Sequence, residues 1–310
     1  MPFQTKGLWA EKIIDGTSLA RIKQHITDTG ANLLCIRSES PYIEQLMKDF
    51  QPKGVKVYVW RWPNLIPNPN AKPIDPQHPD PAKDDIQYWK NELEIAKKLI
   101  AAGIDGYVFD IESDDGINDP KHSNQPYPHD WDNPNVHDLT QQATTFATGI
   151  SDTFKARHKP YVLGLTSHQW GFSNYPQIPW KPFLDVCNAL FPQTYWRADG
   201  SNTAVKDCGG VSYDYSVHPA GRIGTPDQAV FNGFKDYANK KNVNGVVLPI
   251  IPVAGEIGCT KVGEMAHFGA LVAHRGLTEA HFYVDVDKPG WIEGPPQGDD
   301  ARVMTEIKAL

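Results

Sequence analysis

Short apolar runs alternate with longer amphipathic segments along the whole chain, and this alternation constrains the fold more than any other feature. The runs that read as strands are residues 5–10, 32–37, 56–62, 106–112, 161–167, 189–196, 245–252 and 280–286. Helix-like stretches follow them at 18–29, 42–50, 84–102, 136–158, 182–187, 226–242, 262–275 and 299–309. In the clearest, Ile86, Trp89, Leu93, Ala96 and Ile100 recur at helical spacing, and Gly103 supplies the stop. Eight β-then-α units in 310 residues, with no compositional break that would serve as a linker, predict a single (β/α)8 barrel of the α/β class over residues 1–310. A doubly wound sheet is the competing arrangement. It calls for a Gly-rich phosphate turn after the first strand, and GLWAEKIIDG lacks that spacing.

Loop lengths are lopsided. Helix-to-strand connections are short, as at 29–31 and 102–104, whereas those after strands three to six run to ten residues or more. In a barrel the longer loops gather on the C-terminal face, where active sites are built. The segment 63–83 carries seven prolines, which fix φ and favour an ordered wall over a loose linker.

Composition narrows the partners. There are 30 basic and 37 acidic side chains, a net charge of −7, and no Lys/Arg-rich run, so a nucleic acid is not an expected ligand. The opening MPFQTKGLWAEKII has no charged n-region, apolar core or cleavage site, and no run of about 18 apolar residues exists, so neither a secretory signal nor membrane insertion is expected from this chain. Of the four cysteines, Cys35 and Cys187 sit in or beside apolar runs and read as buried thiols. Cys208 and Cys259 lie in Gly-rich loops, where a disulfide under oxidising conditions stays open.

Chemistry concentrates on the fourth strand, DGYVFDIE. Side chains alternate across a strand, so Val108, Asp110 and Glu112 share one face while Tyr107, Phe109 and Ile111 share the other. The bulky apolar set suits the outer helices, which turns Asp110 and Glu112 into the barrel mouth. Two carboxyl groups two residues apart stand roughly 6–7 Å apart along a strand. Repulsion and partial burial then raise one of the two pKa values, as a general acid at neutral pH requires.

DGYVFDIE resembles the strand-four D-G-x-D-x-D-x-E signature of the chitinase-type glycoside hydrolases of family 18, and also the D-x-E of the lysozyme-type muramidases of family 25. The first resemblance implies that Glu112 protonates the glycosidic oxygen and that Asp110 orients a substrate N-acetyl group, which attacks C1. Both resemblances imply a tyrosine near the end of strand six, FPQTYW, which is Tyr195, with Gln193 on the same face. The signature's middle Asp is Val108 here, strand three (KVYVWRWP) lacks Ser-x-Gly-Gly, and strand one has Lys6-Gly7-Leu8-Trp9 where the muramidases carry an Asp. The resemblance therefore implies a related but distinct family of barrel glycosidases.

Other candidates lie where the mouth is expected. His168 follows strand five as a hydrogen-bonding or subsite residue; Arg61 ends strand three; Tyr283, Asp285 and Asp287 end strand eight. Asp285 is either a second carboxylate, serving as base in an inverting reaction, or a partner of Arg61 or of a loop. Trp60, Trp62, Trp131, Trp170, Trp180, Trp196 and Trp291 fall at strand ends or in the loops after them, and exposed aromatic rings suit sugars. Asp110, Glu112, His168 and Asp285 offer a possible metal set, but no local ligand spacing such as H-x-H or H-E-x-x-H occurs, so no metal or other cofactor is expected. The run Asp114–Asp119 lacks the Gly and the Glu that a calcium loop needs. The sequence thus predicts a glycosidase acting on an aminosugar-containing polysaccharide, peptidoglycan or chitin-like, of the cell wall or outside the cell. A non-catalytic carbohydrate-binding barrel and a metal-dependent barrel hydrolase are the alternatives.

Overall fold

Eight parallel strands close on themselves in sequence order, each paired with the next and the eighth with the first. The computed structural model describes residues 2–11, 13–63, 89–112, 139–196, 226–255, 263–284 and 298–310. The strands are β1 Thr5–Ala10, β2 Leu33–Arg37, β3 Lys56–Arg61, β4 Gly106–Asp110, β5 Val162–His168, β6 Ala189–Thr194, β7 Val253–Ala254 and β8 Glu279–Val284. The helices are α1 Gly16–Thr29, α2 Ile43–Phe50, α3 Trp89–Ala102, α4 Thr140–Ala156, α5 Gly171–Asn174, α6 Trp180–Val186, α7 Pro226–Tyr237, α8 Glu264–His274 and α9 Gly298–Ala309. This is the (β/α)8 barrel that the alternating pattern predicts. Among the described residues no helix is long and apolar enough to cross a membrane.

Local signals set the element ends. Asp15 caps α1, accepting from the Ser18 backbone N–H at 2.7 Å while the Ser18 hydroxyl accepts from the Asp15 N–H. Gly30, at φ 65°, closes the same helix in the left-handed conformation. Between these caps Leu19, Ile22 and Ile26 form the buried face.

The seventh strand differs from expectation. Residues 245–252 begin as a turn, in which the Asn242 side chain accepts from the backbone N–H groups of Asn244 and Val246 and Gly245 takes φ 76°. Pro249 and Pro252 bring no N–H to a ladder. Pairing to β6 starts with Leu190 donating to the Pro249 carbonyl and Ile251 to the Leu190 carbonyl, and the regular strand is only Val253–Ala254.

Alternation divides the core in two. Leu8, Ile36, Val57, Val59, Tyr107, Phe109, Leu163 and Leu190 face outward to the helices, whereas Trp9, Leu33, Cys35, Tyr58, Trp60, Val108 and Phe191 fill the barrel. Large rings fit inside because glycines stand opposite them. A Cβ on Gly7 would lie 2.6 Å from His281, one on Gly106 2.7 Å from Tyr58, and one on Gly164 would collide with Phe191. His281 is fully buried and satisfied on both sides: Nδ1 accepts from Trp9 Nε1 at 2.8 Å, which leaves the proton on Nε2 for Glu279 at 2.7 Å.

Candidate active site

The inward faces of β4, β5 and β6 bring four polar side chains together at the C-terminal end of the barrel. Paired β4 ends at Asp110, and the Ile111 N–H continues the line by donating to the Thr166 carbonyl at 3.0 Å. Asp110 is in register with Thr166, and His168 with Gln193, so Glu112, two residues past Asp110, comes level with His168 and Gln193.

Gln193 Nε2 donates to Asp110 Oδ1 at 3.1 Å and also to Glu112 Oε1. The same amide thus bridges the two carboxyl groups. Burial, then the neighbouring charge of Glu112 and a hydrogen bond with it, hold the Asp110 carboxyl well above the usual range. The raised member of the pair is thus the deeper one. His168 Nε2 stands 3.9 Å from the other Glu112 oxygen, Oε2. Trp62, half-buried, donates through Nε1 to the Glu112 carbonyl at 3.3 Å.

The rest of the mouth is built by β1, β2 and β8. Glu11, two residues beyond Trp9 on the inner face of β1, receives Arg37 Nη1 at 3.3 Å on Oε1 and the Tyr283 hydroxyl at 3.2 Å on Oε2. Arg37 ends β2 on its inner face, lies 5.5 Å over the Trp60 ring and pairs with Glu39 at 3.3 Å. Burial pushes the Glu39 carboxyl up, but the Arg61 and Arg37 charges and its hydrogen bonds outweigh this and hold it below its ordinary value. Tyr283 packs at 5.5 Å on Tyr195, which follows Gln193 by two residues.

Of the residues the sequence singles out, Asp110, Glu112, His168, Gln193, Trp62, Tyr195 and Tyr283 gather here. Trp170 is half-buried just after β5. Two others are turned away from the mouth. Arg61 is buried on the outer face of β3, ion-paired to Glu92 of α3 and to Glu39, and donating to the Ser38 hydroxyl at 2.8 Å. Trp196 is 3% exposed, donates to Glu264 of α8 at 3.1 Å and packs on Phe268. Both sit at odd intervals from the inward residues of their strands, so the pleat carries them to the helix layer. Trp180 likewise packs on Phe172 in that layer, and Trp60 lies inside the barrel. Asp285, Asp287, Trp131, Trp291, Cys208, Cys259 and the proline-rich segment lie outside the described residues. Cys35 and Cys187 are buried thiols. Among the described residues no group of three or more His, Cys, Asp or Glu side chains is placed to hold a metal ion.

Glu11, Arg37 and Glu39 were not anticipated from the sequence. The parity that marks Asp110 and Glu112 also marks two of them, Glu11 following Gly7 and Trp9, and Arg37 following Leu33 and Cys35.

No protein-family model matches the chain, and no curated protein matches it. Solved structures do. A beta-galactosidase from the psychrophilic Marinomonas ef1 superimposes with TM-score 0.55 at 10% identity, over 99% of this chain and 59% of that one. A calcium-binding mutant of Bacteroides uniformis beta-glucuronidase 2 gives 0.53 at 9% identity, over 91% and 31%. A beta-galacturonidase from Eisenbergiella tayi bound to galacturonate gives 0.51 at 12% identity, over 99% and 51%. The chain spans less than two thirds of the length of each, and at these identities the likeness is one of fold.

Proposed function

We propose that the protein is a glycoside hydrolase, with Glu112 as the general acid and Asp110 as its assisting partner. The observation that carries this reading is the Gln193 amide donating to both carboxyl groups at the barrel mouth, where burial holds Asp110 well above its ordinary range. Glu112, the more exposed of the two, is the carboxyl placed beside a glycosidic oxygen, and Asp110, whose pKa is raised, is placed to supply it with a proton. As Glu112 gives a proton to the leaving oxygen, Asp110 passes its own to Glu112, and His168 lies on the far side of Glu112 to steady the charge that remains. Tyr195, Tyr283 and Trp62 supply ring edges and faces of the kind that suit a pyranose.

Two further considerations favour glycosidase chemistry. The superimposable structures named above are a beta-galactosidase, a beta-glucuronidase and a beta-galacturonidase. The DGYVFDIE resemblance points to an aminosugar-containing polysaccharide such as peptidoglycan or chitin, of the muramidase or chitinase type. Arg61 and Trp196, turned away from the mouth, have no part in substrate contact here.

The test is mass spectrometry of products after incubation with purified peptidoglycan and, separately, with chitooligosaccharides. Wild-type protein is expected to cut one of them. Glu112→Gln should lower kcat by about 10²- to 10⁴-fold while oligosaccharide binding stays measurable. Full activity in that variant overturns the assignment of Glu112. Binding without product in the wild type favours a non-catalytic carbohydrate-binding barrel, and loss of activity on chelation, restored by a divalent ion, favours a metal-dependent hydrolase.

A further inference from the structure

Glu11, Arg37 and Tyr283 lie on β1, β2 and β8, away from the β4–β6 cluster, and they are bonded to each other. Glu11 is held on both oxygens by donors, one of them a guanidinium, which fixes the direction of its carboxyl group. Its side chain is 28% exposed, open enough to meet a ligand. The donors are themselves held. Arg37 lies on Trp60, whose Nε1 donates to the Ala10 carbonyl beside Glu11, and Tyr283 packs on Tyr195. This is the support that a working side chain has, and a carboxylate needed only to neutralise Arg37 would be redundant beside Glu39.

The barrel fixes where Glu11 stands relative to Glu112. Eight strands about 4.8 Å apart and tilted by about 36° close on a circle of radius ~7.5 Å, so strands three places apart face each other across ~14 Å. Two glutamates each reaching ~4 Å inward leave about 6 Å between carboxyl groups, close to the lower end of the roughly 6.5–9.5 Å that admits a water beside C1 in inverting glycosidases.

We infer that Glu11 is the second catalytic carboxylate, the base that activates water across the mouth from Glu112, with Arg37 and Tyr283 as its positioning residues. The inference rests on the glycosidase reading above and adds a stereochemical outcome to it. The water oxygen attacks C1 and its proton passes to Glu11. The bond from C1 to the glycosidic oxygen breaks, and that oxygen takes the proton of Glu112. The products are two free hydroxyl ends, and proton exchange with solvent resets both carboxyl groups. The configuration at C1 inverts, in contrast to attack by a substrate N-acetyl group, which ends in retention.

The experiment is proton NMR of the first-formed anomer released by wild-type protein from whichever of the two substrates it cuts, joined to turnover of Glu11→Ala with and without sodium azide. Inversion is expected from the wild type. Glu11→Ala should lose about 10²- to 10³-fold in kcat with KM nearly unchanged, and azide should restore turnover by forming a glycosyl azide of inverted configuration. Retention in the wild type, which needs no variant to fold, overturns the assignment of Glu11 and leaves the glycosidase reading standing. So does a Glu11→Ala kcat within tenfold of wild type. No product from wild-type protein on either substrate overturns both.

Discussion

Gln193 Nε2 lies 3.1 Å from Asp110 Oδ1, on a strand two places around the barrel, and spends its other hydrogen on Glu112. The stagger of the barrel makes this possible. Asp110 pairs in register with Thr166 and Thr166 with Phe191, so Gln193 stands one inward position higher than the level of Asp110 and leans over it. A single amide nitrogen therefore fixes the direction of both carboxyl groups and holds them together.

Replacing that amide by a shape-matched apolar group tests the relationship. Gln193→Leu removes both donors and leaves the buried Asp110 oxygen without its partner, a change that costs about 1–3 kcal/mol. Thermal unfolding should move down by roughly 2–10 °C. Activity should fall further than stability does, because the carboxyl groups lose their common orientation; an unaltered kcat would show that the amide is only structural.

The raised pKa of Asp110 makes stability depend on pH. In the folded chain burial and Glu112 raise Asp110 above its ordinary 3.8, so the folded state keeps a proton that the unfolded state has released. As pH rises from 3.8 toward the raised value, Asp110 therefore subtracts stability, and the subtraction persists above it. Asp110→Asn keeps an acceptor for Gln193 and offers Glu112 a donor, and it cannot ionise. The variant should unfold at a higher temperature than wild type at pH 7, by about 2–4 °C per kcal/mol gained, and the difference should shrink toward pH 4. A constant difference across that range would rule out titration as its source.

The parity of each strand was legible in the sequence, and its consequences extend further than the motif on β4. The same alternation places Glu11, Arg37, Gln193, Tyr195 and Tyr283 inward and Arg61 and Trp196 outward. Arg61 was expected at the mouth because it ends a strand, but ending a strand says nothing about the face. The seventh strand was hidden for a different reason. An apolar run at 246–248 looks like a strand whether or not its backbone is paired, and the Asn242 turn and two prolines decide the matter. The partners of Glu11 were beyond reach, since Arg37 and Tyr283 meet it only once β1 closes against both β2 and β8.

The outward turn of Arg61 has its own consequence. Glu92 is 1% exposed, and Arg61 grips it through Nε and through Nη2, the latter at 2.7 Å. Arg61→Leu strands a buried carboxylate and should cost about 3–5 kcal/mol, seen as a fall in Tm. The double variant Arg61→Leu with Glu92→Leu should recover much of that loss and keep a KM close to wild type. A raised KM in a double variant of normal stability would bring Arg61 back as a substrate contact.

The interior glycines make the last prediction, and the barrel's packing supplies its direction. A Cβ on Gly7 would sit 2.6 Å from His281 Cδ2, well inside contact. The ring cannot yield cheaply: Trp9 holds Nδ1, Glu279 holds Nε2, and Phe191 stacks on its face at 5.1 Å. Gly7→Ala should therefore destabilise by about 1–3 kcal/mol, the scale of an overpacked core. Gly16, in the first turn of α1, has nothing within 4 Å of the same added atom, and alanine there should be neutral or stabilise by up to about 1 kcal/mol. Denaturant titration of the two variants separates steric cost from backbone entropy. In a His281→Ala background the Gly7→Ala penalty should vanish, because the colliding ring is gone; a penalty that survives there would place the strain in the β1 backbone instead.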